Sequence, residues 1–463
     1  MNSKIMPKNK ILFVIRTADQ FIYYKSIVEA LLDHGCLVRL LYDLKWTGKP
    51  DSLKSLEMFG RERGNFEFGA IAHHTGKWRK VLFCARETLS YRSYLLGERK
   101  KLRKFYQDRW KSYLPKILQN LFEYKIPRLA LASAPSGWFL RTFEKIFSAD
   151  KKIFSDIKKY SPDVVFASPG NMRFSSADLE YLKAAKALAI PTAVSVVSWD
   201  NLTNKGLFHI FPDRLLVWNE EDKKEAIVHH GIPESSIKII GAPLFDQWFT
   251  ELKPSQTREE FCHKNGLRGA DPIITYLGSS LNVAQDESWV VEEIRGAFDK
   301  DPLLKKAQII IRPYPANKKI YKRLNLHSTI ILPKEGGLPS SKETLNLFLD
   351  TLYFSVCTVG INTSGMIDAI IAGKPGMVFM PEKYKSSQME TKHFQHIFNS
   401  GALEGVKDGS ECAAAIRHLI GGRDERKENR IAFIEHFIRP NGLRTSAGEC
   451  AAKEIENLIK GCS

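Results

Sequence analysis

Residues 355–379 have the sequence SVCTVGINTSGMIDAIIAGKPGMVF, and this run predicts more about the chain than any other part. The apolar residues at its start predict a β-strand, the polar residues 362–365 predict a turn, and the residues after them predict a helix. A Gly-Lys-Pro sequence then ends the helix, and residues 376–379 predict a second strand. A strand–turn–helix–strand unit of this kind is typical of an α/β protein with a parallel sheet.

The turn of this unit is a candidate phosphate site. Asn362, Thr363, Ser364 and Gly365 would lie at the N-terminus of the helix, where backbone N–H groups without intrahelical partners attract anions. Asp368, about one helical turn further on, offers a carboxylate that can accept hydrogen bonds from sugar hydroxyls. The same residue types are also favoured helix N-caps, so a capped helix without a ligand is the alternative.

The residues that follow the turn resemble a known signature. Residues 366–375, MIDAIIAGKP, resemble the Glu-Ala…Gly-x-Pro pattern in the nucleotide-binding domain of GT-B glycosyltransferases and related nucleotide-sugar enzymes. The resemblance implies that the carboxylate contacts the ribose of a nucleotide-sugar donor and that the turn faces its pyrophosphate. The carboxylate here belongs to Asp368, which is one methylene shorter than the usual Glu.

The composition is that of a globular protein with room for two domains. The chain has 463 residues, of which 43% are hydrophobic and 26% charged. No apolar run approaches the roughly 18–20 residues that span a bilayer, and the basic start of the chain does not have the pattern of a signal peptide. The seven cysteines lack metal-site spacing and no Asp-x-Asp motif is evident, so we expect a cytoplasmic protein with reduced thiols, no metal and no cofactor.

The positive charge is concentrated in one region. Residues 78–128 contain fourteen Lys/Arg and four acids, which accounts for ten of the seventeen net charges, and aromatic residues are interleaved with them. This mixture suits the headgroup region of an anionic membrane, which we expect this region to contact peripherally. A nucleic-acid groove uses the same chemistry but is the weaker alternative, and we expect no nucleic-acid partner. The third alternative is a solvated helical face with its aromatic residues in the core.

The order of the predicted elements indicates two doubly wound α/β halves that face a cleft. In the first half, apolar runs predict strands at 11–15, 37–42, 163–169, 191–198, 212–219 and 237–243, and in the second half at 272–277 and 307–311 before the opening run. A long basic helical region, about 75–158, interrupts the first half. We therefore expect an N-terminal Rossmann-like domain over 1–246 with a helical insertion, and a C-terminal domain over 247–463 whose last helix packs back on the first.

The loop after one first-half strand carries the candidate catalytic base. Asp200 can take a proton from an acceptor hydroxyl, while Asn201 and Lys205 can orient the acceptor. Asp-Asn is also ordinary turn chemistry, so a capping role for Asp200 is the alternative. Residues 198–249 resemble a family of bacterial GT-B-like proteins of envelope polysaccharide pathways.

The second half repeats the pattern with further phosphate candidates. Gly278, Ser279 and Ser280 follow its first strand, as the glycine-serine turn near the donor phosphates does in GT-B enzymes. Arg312 ends the next strand and can pair with a phosphate. Residues 312–315, Arg-Pro-Tyr-Pro, resemble the Arg-Pro-His-Pro run of capsule and teichoic-acid polymerases, with Tyr314 in place of the histidine.

These observations predict a GT-B glycosyltransferase related to capsule and CDP-glycerol transferase-like proteins. It would bind a nucleotide-sugar in the C-terminal half and a glycan or lipid-linked acceptor in the N-terminal half, with Asp200 and Arg312 as catalytic residues. The alternatives are a polyol-phosphate transferase, a nucleotide-sugar 2-epimerase, and an inactive GT-B scaffold that binds membrane or polymer.

Overall fold

The structure, a computed structural model, describes residues 9–45, 50–73, 76–171, 177–250, 253–333 and 342–461. The chain divides into two compact units. The first unit comprises Met1–Asp246 and Phe437–Ser463, and the second comprises Gln247–His436. Each unit is built around one parallel sheet with helices around it, so the predicted α/β fold with two Rossmann-like units is confirmed.

The first unit contains a seven-stranded parallel sheet with the strand order β3-β2-β1-β4-β5-β6-β7. Its strands are β1 (Lys10–Ile15), β2 (Leu37–Tyr42), β3 (Phe66–Ala70), β4 (Val164–Ala167), β5 (Thr192–Ser195), β6 (Arg214–Val217) and β7 (Ile237–Ile239). Residues 11–15 of the central strand β1 are all buried, because helices cover both faces of such a sheet. The sheet and its helices enclose a continuous apolar core that includes Phe13, Ile27 and Phe166.

Eleven helices of the first unit precede the second unit in the described part of the chain. They are α1 (Lys25–Asp33), α2 (Pro50–Glu62), α3 (Arg79–Ser93), α4 (Lys104–Ser112), α5 (Lys116–Leu121), α6 (Lys125–Ala132), α7 (Ala134–Ile146), α8 (Lys151–Tyr160), α9 (Ala177–Ala187), α10 (Asn201–Asn204) and α11 (Glu220–Glu225). The turn after α1 contains Gly35, which adopts a φ of 83°, a left-handed conformation that glycine tolerates.

The basic region between β3 and β4 forms the helical insertion, α3 to α8. Residue 75, where the predicted insertion starts, lies outside the described residues. The insertion has its own apolar cluster, and five aromatic side chains that we expected at a membrane belong to it: Tyr91, Tyr94, Tyr106, Trp110 and Phe122. That expectation is wrong for these five residues, because each of them is at most 6% exposed.

The second unit contains a six-stranded parallel sheet with the order β10-β9-β8-β11-β12-β13. Its strands are β8 (Ile273–Leu277), β9 (Gln308–Arg312), β10 (Thr329–Ile331), β11 (Cys357–Gly360), β12 (Gly376–Phe379) and β13 (Leu403–Val406). Its helices are α12 (Asp246–Thr250, which starts at the unit boundary), α13 (Arg258–Asn265), α14 (Ser288–Asp299), α15 (Lys342–Phe354), α16 (Gly365–Ile371), α17 (Lys392–Asn399), α18 (Gly409–Ile420) and α19 (Lys427–Phe433). The run 355–379 forms β11, α16 and β12 as predicted.

The chain then returns to the first unit with its last described helix, α20 (Ala447–Lys460). Ala451, Ile455 and Leu458 of this helix are buried in the core of the first unit, against α1. Asp246 fixes the start of the helix, because its carboxylate accepts hydrogen bonds from the backbone N–H groups of Ala447 (3.0 Å) and Gly448 (2.8 Å).

Candidate functional site

The strand order of the second unit places one crevice at the carboxyl ends of β8 and β11. From β8 the chain continues outward through β9 to β10, and it then returns to the other side of β8 as β11. In open α/β sheets, ligands bind at such a reversal of strand order, beyond the carboxyl ends of the strands. The segments that follow the two strands contain residues 278–280 and 362–365, the two turns that were predicted to bind phosphate.

Gly278 allows the chain to pass close to the end of β9. Its backbone N–H donates to the carbonyl of Arg312 at 2.9 Å. A Cβ atom at this position would lie 2.9 Å from the Tyr321 hydroxyl oxygen and 3.0 Å from the backbone nitrogen of Tyr314. A side chain at position 278 would therefore push apart the ends of β8 and β9.

A buried carboxylate, which the sequence did not single out, fixes the backbone of the next residue. Glu287 is 0% exposed and accepts hydrogen bonds from the Ser279 backbone N–H, from Tyr321 (2.7 Å) and from Tyr276 (3.0 Å). Burial raises the pKa of the Glu287 carboxyl group, and these donors lower it in part. In sequence, Glu287 looks like an ordinary acid at the start of a helix, so only the fold could identify it.

The two turns are hydrogen-bonded to each other. The backbone N–H of Asn362 donates to the Ser279 hydroxyl at 3.3 Å, and the Asn362 side chain donates to the carbonyl of Ser387 at 3.1 Å. Gln388 donates from its amide to the carbonyls of Ile361 (2.7 Å) and Phe379 (2.6 Å), which ties together the ends of β11 and β12. Ser279 and Asn362 are therefore buried parts of the frame that shapes the turns.

The other four residues of the two predicted phosphate-binding turns are at least partly exposed. Ser364 is exposed, while Ser280, Thr363 and Gly365 are partly buried. Ser364 precedes α16 without a side-chain cap hydrogen bond. Since α16 has only seven residues, its dipole alone would be a weak source of attraction for an anion.

Arg312 supplies a buried positive charge at the same edge. Its side chain is 7% exposed, its guanidinium lies 4.8 Å from the ring centroid of Phe348, and its one recorded side-chain hydrogen bond is a long one, 3.5 Å, to Thr351. No carboxylate of the described residues forms an ion pair with it. Burial lowers the pKa of Arg312 to about 10, whereas a neighbouring anion would raise it. A buried guanidinium without an acidic partner is the arrangement expected where a ligand brings the negative charge.

Arg312 and the β11 turn lie on the same side of the sheet. Arg312 pairs with Leu277 in the parallel register of β9 and β8, so their side chains point to the same face. The Leu277 side chain in turn lies 3.5 Å from the position that a Cβ of Gly365 would occupy. The structure therefore brings together Arg312, the 278–280 turn and the 362–365 turn, which are separated in sequence.

Asp368, the predicted ribose ligand, is already engaged by a tryptophan. Its Oδ1 accepts a hydrogen bond from the Trp248 indole N–H at 2.9 Å. Burial raises the pKa of the Asp368 carboxyl group to about 7, and the indole hydrogen bond opposes this shift. One carboxylate oxygen of Asp368 thus binds Trp248. A contact between its other oxygen and the ribose of a donor stays a prediction.

In the first unit, the Asp200 carboxylate lies in a compact polar cluster. Ser198 donates to Asp200 at 2.6 Å, Asn204 donates at 2.7 Å, and the Lys205 ammonium lies 3.1 Å from it. Both carboxylate oxygens therefore have partners, which also fits the alternative structural role. The role of Asp200 as a base stays a prediction.

Asn201 occupies a different environment from its neighbours. It is 1% exposed, and its side-chain oxygen accepts from the backbone N–H of Val197 at 3.1 Å. Its side-chain nitrogen has no hydrogen-bond partner among the residues that the structure describes. The structure thus buries Asn201 beneath the loop, while Asp200 and Lys205 are each 18% exposed at the side chain.

The helical insertion holds this loop. The Tyr94 hydroxyl donates to the carbonyl of Lys205 at 2.7 Å and lies 3.1 Å from that of Thr203, and Trp110 donates to the carbonyl of Asn204 at 3.3 Å. A Cβ at Gly206 would lie 2.8 Å from the Ser90 hydroxyl. The conformation of the loop therefore depends on α3 and α4.

The described residues contain no group of three or more His, Cys, Asp or Glu side chains placed to hold a metal ion. They also contain no helix that is both long and apolar enough to cross a membrane.

Comparison with solved structures identifies the class of fold. The chain is similar over 98% of its length to a UDP-GlcNAc 2-epimerase from Neisseria meningitidis bound to UDP-GlcNAc (TM-score 0.54, 11% identity, 100% of that chain). It is similar over 98% to a UDP-GlcNAc 2-epimerase from Methanocaldococcus jannaschii (TM-score 0.52, 14% identity, 100% of that chain). It is also similar over 98% to a glycosyltransferase from Rickettsia africae (TM-score 0.53, 11% identity, 99% of that chain). No family model and no curated protein matches the chain.

These likenesses establish that the chain has a GT-B-like fold, as its strand order and two-unit organisation indicate. The finer resemblance to capsule and CDP-glycerol transferases stays a prediction.

Proposed function

We propose that this protein is a nucleotide-sugar-dependent glycosyltransferase. The observation that carries the proposal is the buried guanidinium of Arg312, which has no acidic partner among the described residues and lies beside the two turns at the reversal of strand order. A nucleoside diphosphate would supply the negative charge that this position lacks. The solved structures with a similar fold support the class of donor, since the N. meningitidis enzyme is described as bound to UDP-GlcNAc.

Each donor-site residue has a distinct part in the proposal. Gly278 and Ser279 set the backbone that faces the phosphates, and Ser280, Thr363 and Ser364 supply hydroxyl donors. Arg312 stabilises the negative charge that develops on the departing nucleoside diphosphate.

The acceptor in this proposal is a glycan or a lipid-linked glycan of the bacterial envelope, used at the cytoplasmic face of the membrane. The first unit would supply Asp200 as the base and Lys205 as the group that orients the acceptor. To act as a base, Asp200 would exchange part of its contact with Lys205 or Asn204 for the acceptor hydroxyl.

An epimerase is the second candidate, because several similar structures are nucleotide-sugar 2-epimerases. The two reactions are separable, since an epimerase converts the nucleotide-sugar alone into an isomer whereas a transferase needs an acceptor. A polyol-phosphate transferase and an inactive scaffold remain as alternatives with less support from the site. The case for a polyol-phosphate transferase rests on residues 312–315, Arg-Pro-Tyr-Pro. They resemble the Arg-Pro-His-Pro run of capsule and teichoic-acid polymerases, but Tyr314 stands in place of the histidine.

The test is calorimetric titration of the full chain with UDP, GDP, ADP, CDP and TDP, and with their sugar derivatives. We expect one nucleoside diphosphate to bind, and its sugar derivatives with it. Binding to the folded state alone at 100 times the dissociation constant adds about 2.7 kcal/mol to its stability, so thermal unfolding provides a second readout.

Two arginine variants sharpen this test. Arg312→Met should weaken nucleotide binding at least tenfold, because it removes the proposed phosphate partner. Arg295→Met should not, although Arg295 is just as buried, because that guanidinium is paired with Asp299 at 2.8 Å. If no nucleotide binds, or if both variants weaken binding equally, the donor-site proposal fails. Nuclear magnetic resonance of the bound nucleotide-sugar without acceptor then distinguishes an isomerised sugar from an unchanged one.

A further inference from the structure

The most exposed apolar side chains of the chain are concentrated on three helices of the insertion. Twenty large apolar side chains are exposed among the described residues, and nine of these are at least 60% exposed. Met58 and Leu303 are two of the nine. The other seven lie on or beside α5, α6 and α7: Ile117, Tyr124, Ile126, Leu129, Trp138, Phe139 and Ile146.

The spacing of these side chains puts them on one side of each helix. Ile126 and Leu129 are three residues apart on α6, and Trp138, Phe139 and Ile146 fall within about 100° of one another on α7. A helix face of this kind is normally buried against a partner.

The opposite sides of these helices are already used by the fold. Leu131 is buried in the cluster of the insertion. The Arg92 guanidinium donates to the carbonyls of Leu131 (2.8 Å) and Ser133 (2.8 Å), and it fills the space beside Gly137, where a Cβ would lie 2.6 Å from its Cζ. The helices α6 and α7 are therefore anchored from the inside, and their apolar outer faces are left uncovered.

Exposed cations accompany the apolar face. Five lie on α5, α6 and α7, and none of them forms an ion pair with a described carboxylate: Lys116, Lys125, Arg128, Arg141 and Lys145. The acids of the same region are neutralised, since Glu123 pairs with Lys111 and Glu144 is buried in ion pairs with Arg86 and Lys183 (2.7 Å each). The exposed surface of these three helices therefore combines large apolar side chains with cations that no described carboxylate neutralises.

We propose that α5, α6 and α7 form a membrane-binding surface that inserts its apolar side chains into the headgroup region of an anionic bilayer. Trp, Phe, Ile and Leu side chains suit that depth, and each cation near an anionic leaflet contributes about a fivefold gain in affinity. A second copy of the chain is a poorer occupant, because it would bring five like charges against five. The site lies partly beyond residues 78–128, where the sequence predicted the membrane contact.

The membrane-binding surface also has a consequence for the acceptor. This consequence rests on the proposed function. The same insertion holds the loop of Asp200 through Tyr94 and Trp110. A protein bound to the bilayer through α5, α6 and α7 would therefore work on an acceptor that is itself anchored in the membrane.

The experiment is sedimentation of the full chain with vesicles of phosphatidylcholine, with and without 30% phosphatidylglycerol, in the absence of nucleotide. We expect binding to the anionic vesicles that weakens as salt rises, and little binding to the neutral ones. Trp138→Ser with Phe139→Ser should weaken the binding at least tenfold. Lys125→Glu with Arg128→Glu should weaken it by more than about thirtyfold, because it removes two cations and adds two charges that the anionic surface repels, and it should flatten the salt dependence.

The second unit offers a matched control. Leu303→Ser with Lys305→Glu and Lys306→Glu makes the same kinds of change at an exposed site, and it should leave vesicle binding unchanged. Nucleotide titration of every variant separates this inference from the donor site, because loss of vesicle binding with intact nucleotide affinity concerns the surface alone.

The proposal is overturned if the unmodified chain ignores anionic vesicles or binds neutral ones equally well. It is also overturned if Trp138→Ser with Phe139→Ser dissociates a dimer detected by light scattering and leaves vesicle binding intact. The apolar face would in that case belong to an interface between copies of the chain.

Discussion

The side chain of Arg312 illustrates how a residue that is proposed to bind a ligand can lower the stability of the fold. Its guanidinium is buried against Phe348, it makes a single long hydrogen bond to the described residues, and burial lowers its pKa to about 10. Replacing such a charge with an apolar side chain of similar volume relieves the cost of desolvation. Arg295, equally buried, has an ion pair and a 2.7 Å hydrogen bond to the carbonyl of Ala307.

These two environments predict opposite effects on stability. Arg312→Met should raise the free energy of unfolding without ligand by about 1–2 kcal/mol, whereas Arg295→Met should lower it by about 2 kcal/mol. Urea unfolding measures both. Equal destabilisation by the two variants would mean that Arg312 has a structural partner and that the buried charge is not reserved for a ligand.

The shifted pKa of Asp368 predicts that the stability of the folded protein depends on pH. Its carboxyl group is ionised in the unfolded chain above about pH 4, but burial raises its pKa in the folded state to about 7. Between these values the folded state binds more protons, so this group lowers the free energy of unfolding as pH rises, until the loss is complete above pH 7.

Asp368→Asn keeps an acceptor for Trp248 and removes the charge. Relative to the unmodified protein, the variant should therefore gain about 2 kcal/mol of stability between pH 5 and pH 8. Urea unfolding at the two pH values gives the difference. If the two proteins keep the same difference in stability at both pH values, the carboxyl group is not protonated in the folded state at neutral pH.

At the level of elements, the loop 198–206 of the first unit depends on helices that come from a distant part of the sequence. The Tyr94 hydroxyl donates to the carbonyl of Lys205. Tyr94→Phe should lower the free energy of unfolding by about 1–2 kcal/mol, because it leaves a buried carbonyl with fewer donors. It should also lower turnover while nucleotide affinity stays unchanged, since the proposed donor site lies in the other unit.

Tyr160→Phe is the matched control for this change, because the Tyr160 hydroxyl has no hydrogen-bond partner in the described part of the chain. Its effect on stability should stay within about 0.5 kcal/mol. If Tyr94→Phe weakened nucleotide binding or left turnover intact, the loop would not have the role proposed for it.

The elements also show which parts of the fold a sequence reveals. The strands predicted from apolar runs, such as β1 and β8, are present because both of their faces are covered. Three strands were not predicted: β3, β10 and β13. Each lies at the edge of its sheet and is short, half-buried or interrupted by glycine, so it lacks a continuous apolar run.

The candidate site also has parts that the sequence could reveal and parts that it could not. Gly278, Arg312 and the 362–365 turn could be predicted, because strand ends and turn residues have local signals. Glu287 could not, because it acts through Tyr321, a partner that only the folded sheet brings close to it. The sequence predicted a helical insertion here, but it did not predict the uncovered apolar faces of α6 and α7, for a related reason. An amphipathic pattern does not reveal which face the rest of the chain leaves uncovered.

At the level of the whole molecule, the first unit is completed by the last described helix. Gly448 of α20 approaches the backbone of α1 so closely that a Cβ would lie 2.4 Å from the carbonyl oxygen of Ser26. Gly448→Ala should therefore destabilise the first unit by about 2 kcal/mol, although alanine is the better helix former. Gly296→Ala in α14 is the control. Apart from the backbone of its own helix and its chain neighbours, no atom of the described residues lies within 4 Å of its Cβ position, so this variant should gain about 0.5–1 kcal/mol.

Hydrogen exchange measured by mass spectrometry shows where this destabilisation falls. With Gly448→Ala we expect faster exchange in α1, β1 and β2, unchanged exchange in β8 and β11, and unchanged nucleotide affinity, because the closure by α20 belongs to the first unit alone. Faster exchange in β8 and β11 would contradict this, and it would mean that the donor-binding unit relies on the end of the chain as well. A Gly448→Ala protein that keeps its nucleotide affinity but loses turnover would in turn assign the acceptor step to the first unit.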